Sequence, residues 1–162
     1  MSKSSDTSKS SDRSKSGYSF YLSKWKDHQD KIQHIREKVF VKEFGLPTTR
    51  IQHDLDADCY HVLAYDNSGN TIGTGCIHPN GEIGQIAVLS PWRGRTVGKA
   101  ILVYLLHVAK TLHLPSVWVN AIEPTTRFYQ SKDFDLTDES TLIEGVRYRK
   151  MVHLIEHSKT IN

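Results

Sequence analysis

The stretch IGQIAVLSPWRGRTVGKAIL, residues 83–102, decides the fold. Its first seven residues, Ile83 to Leu89, form a nearly continuous apolar run, as expected of a strand buried on both faces. Ser90 to Lys99 then read as a glycine-containing loop. Val97, Ile101, Tyr104, Leu105, Val108 and Leu112 follow at helical spacing. A strand, loop and helix in this order aim backbone N–H groups and the positive end of a helix dipole at one place. Arg93, Arg95 and Lys99 add charge around it, so the favoured ligand is a phosphate or pyrophosphate. The spacing is neither G-x-G-x-x-G nor G-x-x-x-x-G-K-[ST], which leaves dinucleotide and P-loop readings without their motifs. The competing reading is a glycine loop that only turns the chain.

Upstream, CYHVLAYD (59–66) and TIGTGCIH (71–78) flank Asn67-Ser68-Gly69-Asn70, the composition of a tight hairpin turn. Before them, Ile32, Ile35, Val39 and Phe40 predict a helix capped by Asp27 or Asp30 and ended by Gly45 and Pro47. Tyr18, Phe20 and Leu22 alternate as a first strand. Downstream, Ser116 to Asn120 read as a strand, and Pro124 suits the first turn of a short helix reaching Lys132. Asp133-Phe134 opens another strand, and GVRYRKMVHLI from Gly145 closes the sheet. The predicted order is βαββ followed by βαβαβ, a mixed α/β sheet.

Composition narrows the function classes. With 162 residues, one domain is expected. Residues 1–17, MSKSSDTSKSSDRSKSG, form a Ser/Lys-rich low-complexity tract expected to be a disordered tail, with 158–162 a short C-terminal tail and 18–157 the folded domain. The net charge is +3, and most of the excess lies in that tail, which disfavours a nucleic-acid-binding face. The longest apolar run, Ala100 to Leu106, is far shorter than the roughly 20 residues of a membrane span. With no apolar signal region and only Cys59 and Cys76, a cytoplasmic protein with reduced thiols is expected.

Residues 83–102 resemble motif A of the GCN5-related N-acetyltransferase (GNAT) family, with its [Q/R]-x-x-G-x-[G/A] loop. Arg93 fills the first position and Gly98 the last, while Thr96 replaces the usual inner glycine. IREKVFVKEFGLP (35–47) resembles the first-helix segment of small bacterial acetyltransferases. VNAIEPTTRFYQSKDF (119–134) resembles their "N-A … F-Y … G-F" segment, with Asp133 in place of a glycine. The likeness covers roughly 18–155. It implies a mixed, centrally splayed β-sheet flanked by helices, with acetyl-CoA as cosubstrate and a primary amine as acceptor. Homodimerisation is left open.

By the same resemblance, the substrate cleft opens where strand 83–89 splays from strand 116–120. Pantetheine would pair with Ile86, Ala87 and Val88, and the phosphates would sit on Arg93, Gly94, Arg95, Thr96, Val97, Gly98 and Lys99. Asn120 and Phe128 would also contact the cofactor. Attack of a neutral amine on a thioester builds charge on the carbonyl oxygen and expels a thiolate. A backbone N–H near Val88 is the candidate for that oxygen and Tyr129 the candidate acid. Glu82 and Glu43 are candidate bases acting through water, and Tyr148, His53 and His78 candidates to line the acceptor site.

Two alternatives compete. A hairpin turn centred on Ser68-Gly69 would pair Cys59 with His78 and His61 with Cys76 on one face, a Cys₂His₂ set. Its spacing matches no zinc-finger pattern, and a flat sheet supplies tetrahedral geometry poorly, so no metal is expected. The other is a non-catalytic acyl-CoA-binding module, motivated by Thr96.

Overall fold

The hairpin turn sets the register of the sheet. In the computed structural model, which describes residues 17–156, the Asp66 carboxylate accepts from the N–H groups of Ser68 and Asn70, each at 2.9 Å. This closes the connection between β2 (Tyr60–Asp66) and β3 (Thr71–Ile77). His61 stands opposite Cys76, as the turn composition predicts. β1 (Tyr18–Lys24) and β4 (Ile83–Val88) complete an antiparallel sheet of order β1-β2-β3-β4. A second sheet has order β5-β7-β6, from β5 (Ser116–Ile122), β6 (Asp135–Ile143) and β7 (Val146–Leu154).

Among the described residues the two sheets meet at a single parallel bridge between Glu82 and Trp118, where Trp118 N–H donates to the Gly81 carbonyl at 3.0 Å. Beyond it, β4 and β5 part. β4 therefore keeps a free edge facing β5, the splay that the resemblance implies.

Helix α1 (Trp25–Arg36) and helix α2 (Val97–Thr111) cover opposite faces of the first sheet. Val62, Ala64 and Ile72 pack with Ile101, Leu102 and Leu105 of α2, while the alternate residues Leu63 and Tyr65 pack with Ile32 of α1. Burial of both faces is fullest in β2 and β3, and β4 is only partly buried because its edge opens into the splay. Gly75 lets α2 approach closely, since a Cβ there would stand 2.9 Å from Cγ2 of Ile101.

Four details depart from the sequence reading. β1 runs directly into α1, so Lys24 occupies the N-cap and neither Asp27 nor Asp30 caps the helix. The first helix changes at Glu37–Glu43 into a π-helical segment, which carries Phe40 onto β4 residue Ala87. β4 holds a bulge at Gln85, whose φ of 56° shifts the register against β3. Finally, the two strands read after the short helix α3 (Thr126–Gln130) are both present, as β6 and β7, where the summary order βαβαβ has one, and the first begins later than expected. β6 starts at Asp135 because Asp133, with φ 68°, still belongs to the turn that closes α3, and Phe134 N–H donates to the Tyr129 carbonyl. Of the expected tail at 1–17, residues 1–16 lie outside the described residues, as do the whole expected tail at 158–162 and residue 157 at the end of the expected domain.

A buried ion pair fixes the connection between α1 and β2. Arg36, fully buried, donates from Nη1 and Nη2 to the two Asp56 carboxylate oxygens at 2.7 and 3.0 Å. His61 Nε2 lies 2.9 Å from the Asp56 carbonyl oxygen, which assigns the proton to Nε2. Removing either charge of such a pair typically costs about 3–5 kcal/mol.

Candidate active site

The loop before α2 holds its shape through two left-handed residues, Gly94 (φ 81°) and Thr96 (φ 67°). Thr96 is the N-cap of α2 and makes no side-chain cap, and no acidic residue lies in the first turn. The first helical bond runs from Ala100 N–H to the Thr96 carbonyl at 2.9 Å, leaving the N–H groups of Val97, Gly98 and Lys99 without an intrahelical acceptor. Such a terminus is suited to an anion. Gly98 is packed loosely, since a Cβ there would meet only Cγ2 of Val88 at 3.7 Å.

The basic side chains around this terminus differ in their availability. Arg93 is ion-paired with Glu43 and stacks over Phe44, while Arg95 stacks over Trp92. Lys99 stands beside Lys132, which no motif singled out. Desolvation, and then the hydrogen-bonding and charge of Lys99, lower the pKa of Lys132. Two ammonium groups beside the helix start, partly offset by Asp133, strengthen the site for phosphates.

On the other side of β4's free edge lies a cleft of ≈ 420 Å³. Its walls come from the π-helical segment and following loop (Phe40, Arg50, His53), from Glu82 to Ile86, and from β5, α3 and β7 (Asn120, Tyr129, Tyr148). Tyr129 is 7% exposed, and burial, followed by the nearby Cys76, raises its pKa well above the usual phenol value. Its ring packs edge-on against Phe128 and Phe134, and among the described residues no hydrogen-bond partner holds its hydroxyl. Glu82 has a side chain only 16% exposed, 3.9 Å from His53 Nε2. Desolvation raises its pKa, partly offset by His53, His78 and Lys150.

Of the predicted site residues, Ile86, Asn120, Tyr129, Glu82, His53 and Tyr148 come together in this cleft. Ala87 and Val88 are buried farther along β4 toward the helix start. Phe128 packs into the core seam, and Glu43 is held by Arg93 rather than lining the cleft. His78 accepts from Asn80 N–H and borders a small adjoining void that it shares with Glu82 and Gln85. A second, open depression of ≈ 930 Å³, near His107 and His153, carries none of the candidate groups.

The hairpin histidine and cysteines are buried together. Asp56, His61 and Cys76 bring ligand-type atoms within 4.8 Å of one another. Arg36 nevertheless occupies both Asp56 oxygens, and its charge opposes a metal cation. Cys76 is held as a thiol, its pKa pushed up first by its hydrogen bond with Cys59 and then by burial. This cluster braces the hairpin behind the cleft.

The acetyltransferase (GNAT) domain family model matches residues 26–155. The uncharacterized N-acetyltransferase YjcF of Bacillus subtilis (strain 168) is 25% identical over 123 residues, covering 74% of this chain and 87% of YjcF. A crystal structure of a Lactobacillus plantarum protein assigned as an N-acetyltransferase superposes with TM-score 0.75 at 18% identity, over 85% of this chain and 98% of that one. An aminoglycoside 6'-N-acetyltransferase complexed with coenzyme A superposes with TM-score 0.66 at 12% identity, over 86% and 99% of the two chains. At these identities the structural likeness is one of fold.

Proposed function

The chain belongs to the GNAT acetyltransferase family and is an acetyl-CoA-dependent acyltransferase; on that premise we propose that it moves the acetyl group to a primary amine of a small molecule or peptide by direct attack. The observation that carries this reading is that Tyr129 and Glu82 line one cleft, beside the free edge of β4. In the proposal, acetyl-CoA lies along that edge with its pyrophosphate on the N–H groups that open α2 and its pantetheine along Ile86 to Val88. Asn120 flanks it from β5.

The acceptor reaches the thioester from the cleft. An alkyl ammonium must first lose a proton, and Glu82 takes it through a water molecule. Its raised pKa makes it a better base than a solvated carboxylate. Glu43 instead holds Arg93 at the cofactor loop. As the amine nitrogen bonds to the carbonyl carbon, a backbone N–H near Val88 receives the developing oxyanion. When the C–S bond breaks, the thiolate needs stabilisation. A CoA-like thiol has a pKa of about 8.5, and Tyr129 titrates well above the usual phenol, so full proton transfer from tyrosine is uphill. Tyr129 therefore serves as a neutral hydrogen-bond donor to the departing sulfur, and the proton removed from nitrogen returns to the thiolate through solvent.

The proposal takes 18–157 as one catalytic domain and places it in the cytoplasm. Two buried free thiols support that compartment, and no helix among the described residues is long and apolar enough to cross a membrane. The test is thiol release from acetyl-CoA over a broad panel of amines. Turnover with at least one amine class supports the reading. Tight binding of acetyl-CoA without turnover on any amine would make the protein an acyl-CoA-binding module.

A further inference from the structure

Two arginines near the cleft are treated very differently by the fold. Arg36 is fully buried and has both ends of its fork met by the Asp56 carboxylate. Arg50, at the end of the short turn Thr48–Ile51, is also partly withdrawn from water. Desolvation is the largest influence on it and lowers its pKa, although an arginine stays charged at neutral pH. Yet among the described residues Arg50 forms no ion pair. Nη1 donates to the Tyr148 hydroxyl at 2.6 Å, and the guanidinium lies over the rings of Phe40 (4.6 Å) and Tyr148 (5.6 Å).

We infer that Arg50 and Tyr148 form an anion-recognition site in the acceptor cleft, and that the amine acceptor carries a carboxylate. This rests on the acetyltransferase reading and names its substrate class. Three observations carry it. Phe40, Arg50 and Tyr148 all line the cleft that holds Tyr129 and Glu82. The aromatic rings hold the guanidinium plane in place, which leaves its edge as the polar face of the fork, and that geometry suits a planar two-oxygen partner. Tyr148 uses its oxygen to accept from Arg50, so its own hydrogen is left to donate to the same anion.

The cleft's carboxylates do not fill this role. Glu82 faces His53, Glu144 accepts from Thr49 Oγ1 at 2.6 Å, and the exposed Asp54, which also lines the cleft, forms no ion pair with Arg50 among the described residues. A desolvated cation without a counter-ion is costly, and a substrate carboxylate offsets that cost when it binds. The cleft thus separates an acidic group for the amine, Glu82, from a basic group for the carboxylate, Arg50.

The test compares matched acceptors: α- and ω-amino acids, each set against its carboxamide and its decarboxylated amine. Thiol release is followed for wild type, Arg50→Gln and Arg50→Lys, with a melt in acetyl-CoA for each protein. Wild type should prefer the carboxylate member of at least one series by tenfold or more in kcat/KM, mainly through KM, as fits a charge-assisted pair. Arg50→Gln keeps a donor for Tyr148 and should bring the ratio within about threefold, while Arg50→Lys, which keeps charge without the fork, should fall between. Should Arg50→Gln fail to fold, Arg50→Lys alone must still lower the ratio. Equal use of carboxylates and carboxamides by wild type, or a preference as large as that of wild type in either variant, overturns the inference. If acetyl-CoA neither shifts the melt nor loses its acetyl group to any amine, the acetyltransferase reading falls, and this site's role with it.

Discussion

The hydroxyl of Tyr18 lies 3.0 Å from Oγ1 of Thr96, joining the first residue of β1 to the N-cap of α2. Thr96 Oγ1 in turn donates to the Arg95 carbonyl, so Tyr18 is the donor of the pair. Thr96 sits at φ 67°, where a β-branched residue is strained, at the position where the family's loop has glycine. The two hydroxyl contacts hold a side chain where the backbone would favour none.

Thr96→Gly should therefore change stability little. Relief of roughly 1–2 kcal/mol of left-handed strain is set against the lost hydrogen bonds and the extra freedom of an unfolded glycine. Removing the Cβ and hydroxyl from the loop proposed to face the pyrophosphate should tighten acetyl-CoA binding by roughly 3–10-fold, about 1 kcal/mol. Calorimetric titration of acetyl-CoA into both proteins checks this, and weaker binding by the variant would show that the Thr96 hydroxyl is itself a ligand contact.

Tyr129→Phe should lower kcat while barely moving the KM for acetyl-CoA, because the hydroxyl acts as the thiolate forms. The loss should sit near the low end of the roughly 10²–10⁴ typical of acid–base groups, since a hydrogen bond rather than a full proton is given. The ring contacts with Phe128 and Phe134 survive the change, so the melting temperature should hold. Unchanged turnover, with acetyl transfer shown to be rate-limiting, would reduce Tyr129 to packing.

Glu82 links activity and stability with opposite signs. Its folded pKa is raised, so the native state holds the proton more tightly, and stability falls as pH rises from the ordinary carboxylate value of about 4.3 through the raised one. Activity should rise over the same limb as the proposed base ionises. Glu82→Gln should abolish that limb of the kcat/KM profile and lower the plateau by tenfold or more, without loss of stability at pH 7. An unchanged profile would assign the limb to another group.

The end of the site proposed for the cofactor was legible in the sequence because its determinants are local. Gly98, the basic residues and the apolar strand lie within one short stretch, and the turn Asn67–Asn70 predicts the pairing of His61 with Cys76. The end proposed for the acceptor was legible only in part: Glu82, His53 and Tyr148 are candidates from the sequence and line the cleft, but nothing in the sequence singles out Arg50. Arg50 takes its meaning from Tyr148, 98 positions away, and Lys132 from Lys99. No periodicity announces the π-helical segment at Glu37–Glu43 or the bulge at Gln85, which arise from how β4 meets its neighbours. Thr96 and Asp133, the departures from the family's glycines, both stand at positive φ. The glycine requirement is thus a backbone requirement, which this chain meets with Thr96, held by its hydroxyl contacts, and with Asp133, held through its backbone N–H and carbonyl.

His61 predicts an acid limit to stability. Burial lowers its pKa, so below about 6.5 the unfolded chain takes a proton that the native state refuses. Stability from this residue is intact above that pH and falls as pH drops toward the folded value. Thermal melts from pH 8 to 5 should show the decline beginning near 6.5 and becoming shallower in His61→Asn. An equally steep decline in the variant would move the effect to other groups, His28 first among them, since desolvation lowers its pKa as well.

The central claim, that the start of α2 holds the cofactor's phosphates, is tested most directly by melting wild type and Gly98→Asp with and without acetyl-CoA. At a hundredfold excess over the dissociation constant, binding stabilises wild type by about 2.7 kcal/mol, an upward shift of roughly 6–10 °C. A Cβ at position 98 meets only Val88 at ordinary contact distance, and a carboxylate in the first turn favours the helix dipole. Without ligand, Gly98→Asp should therefore melt at or slightly above the wild-type temperature, yet show no shift with acetyl-CoA. A wild-type melt unmoved by the cofactor, or a shift in Gly98→Asp equal to that of wild type, would contradict the account.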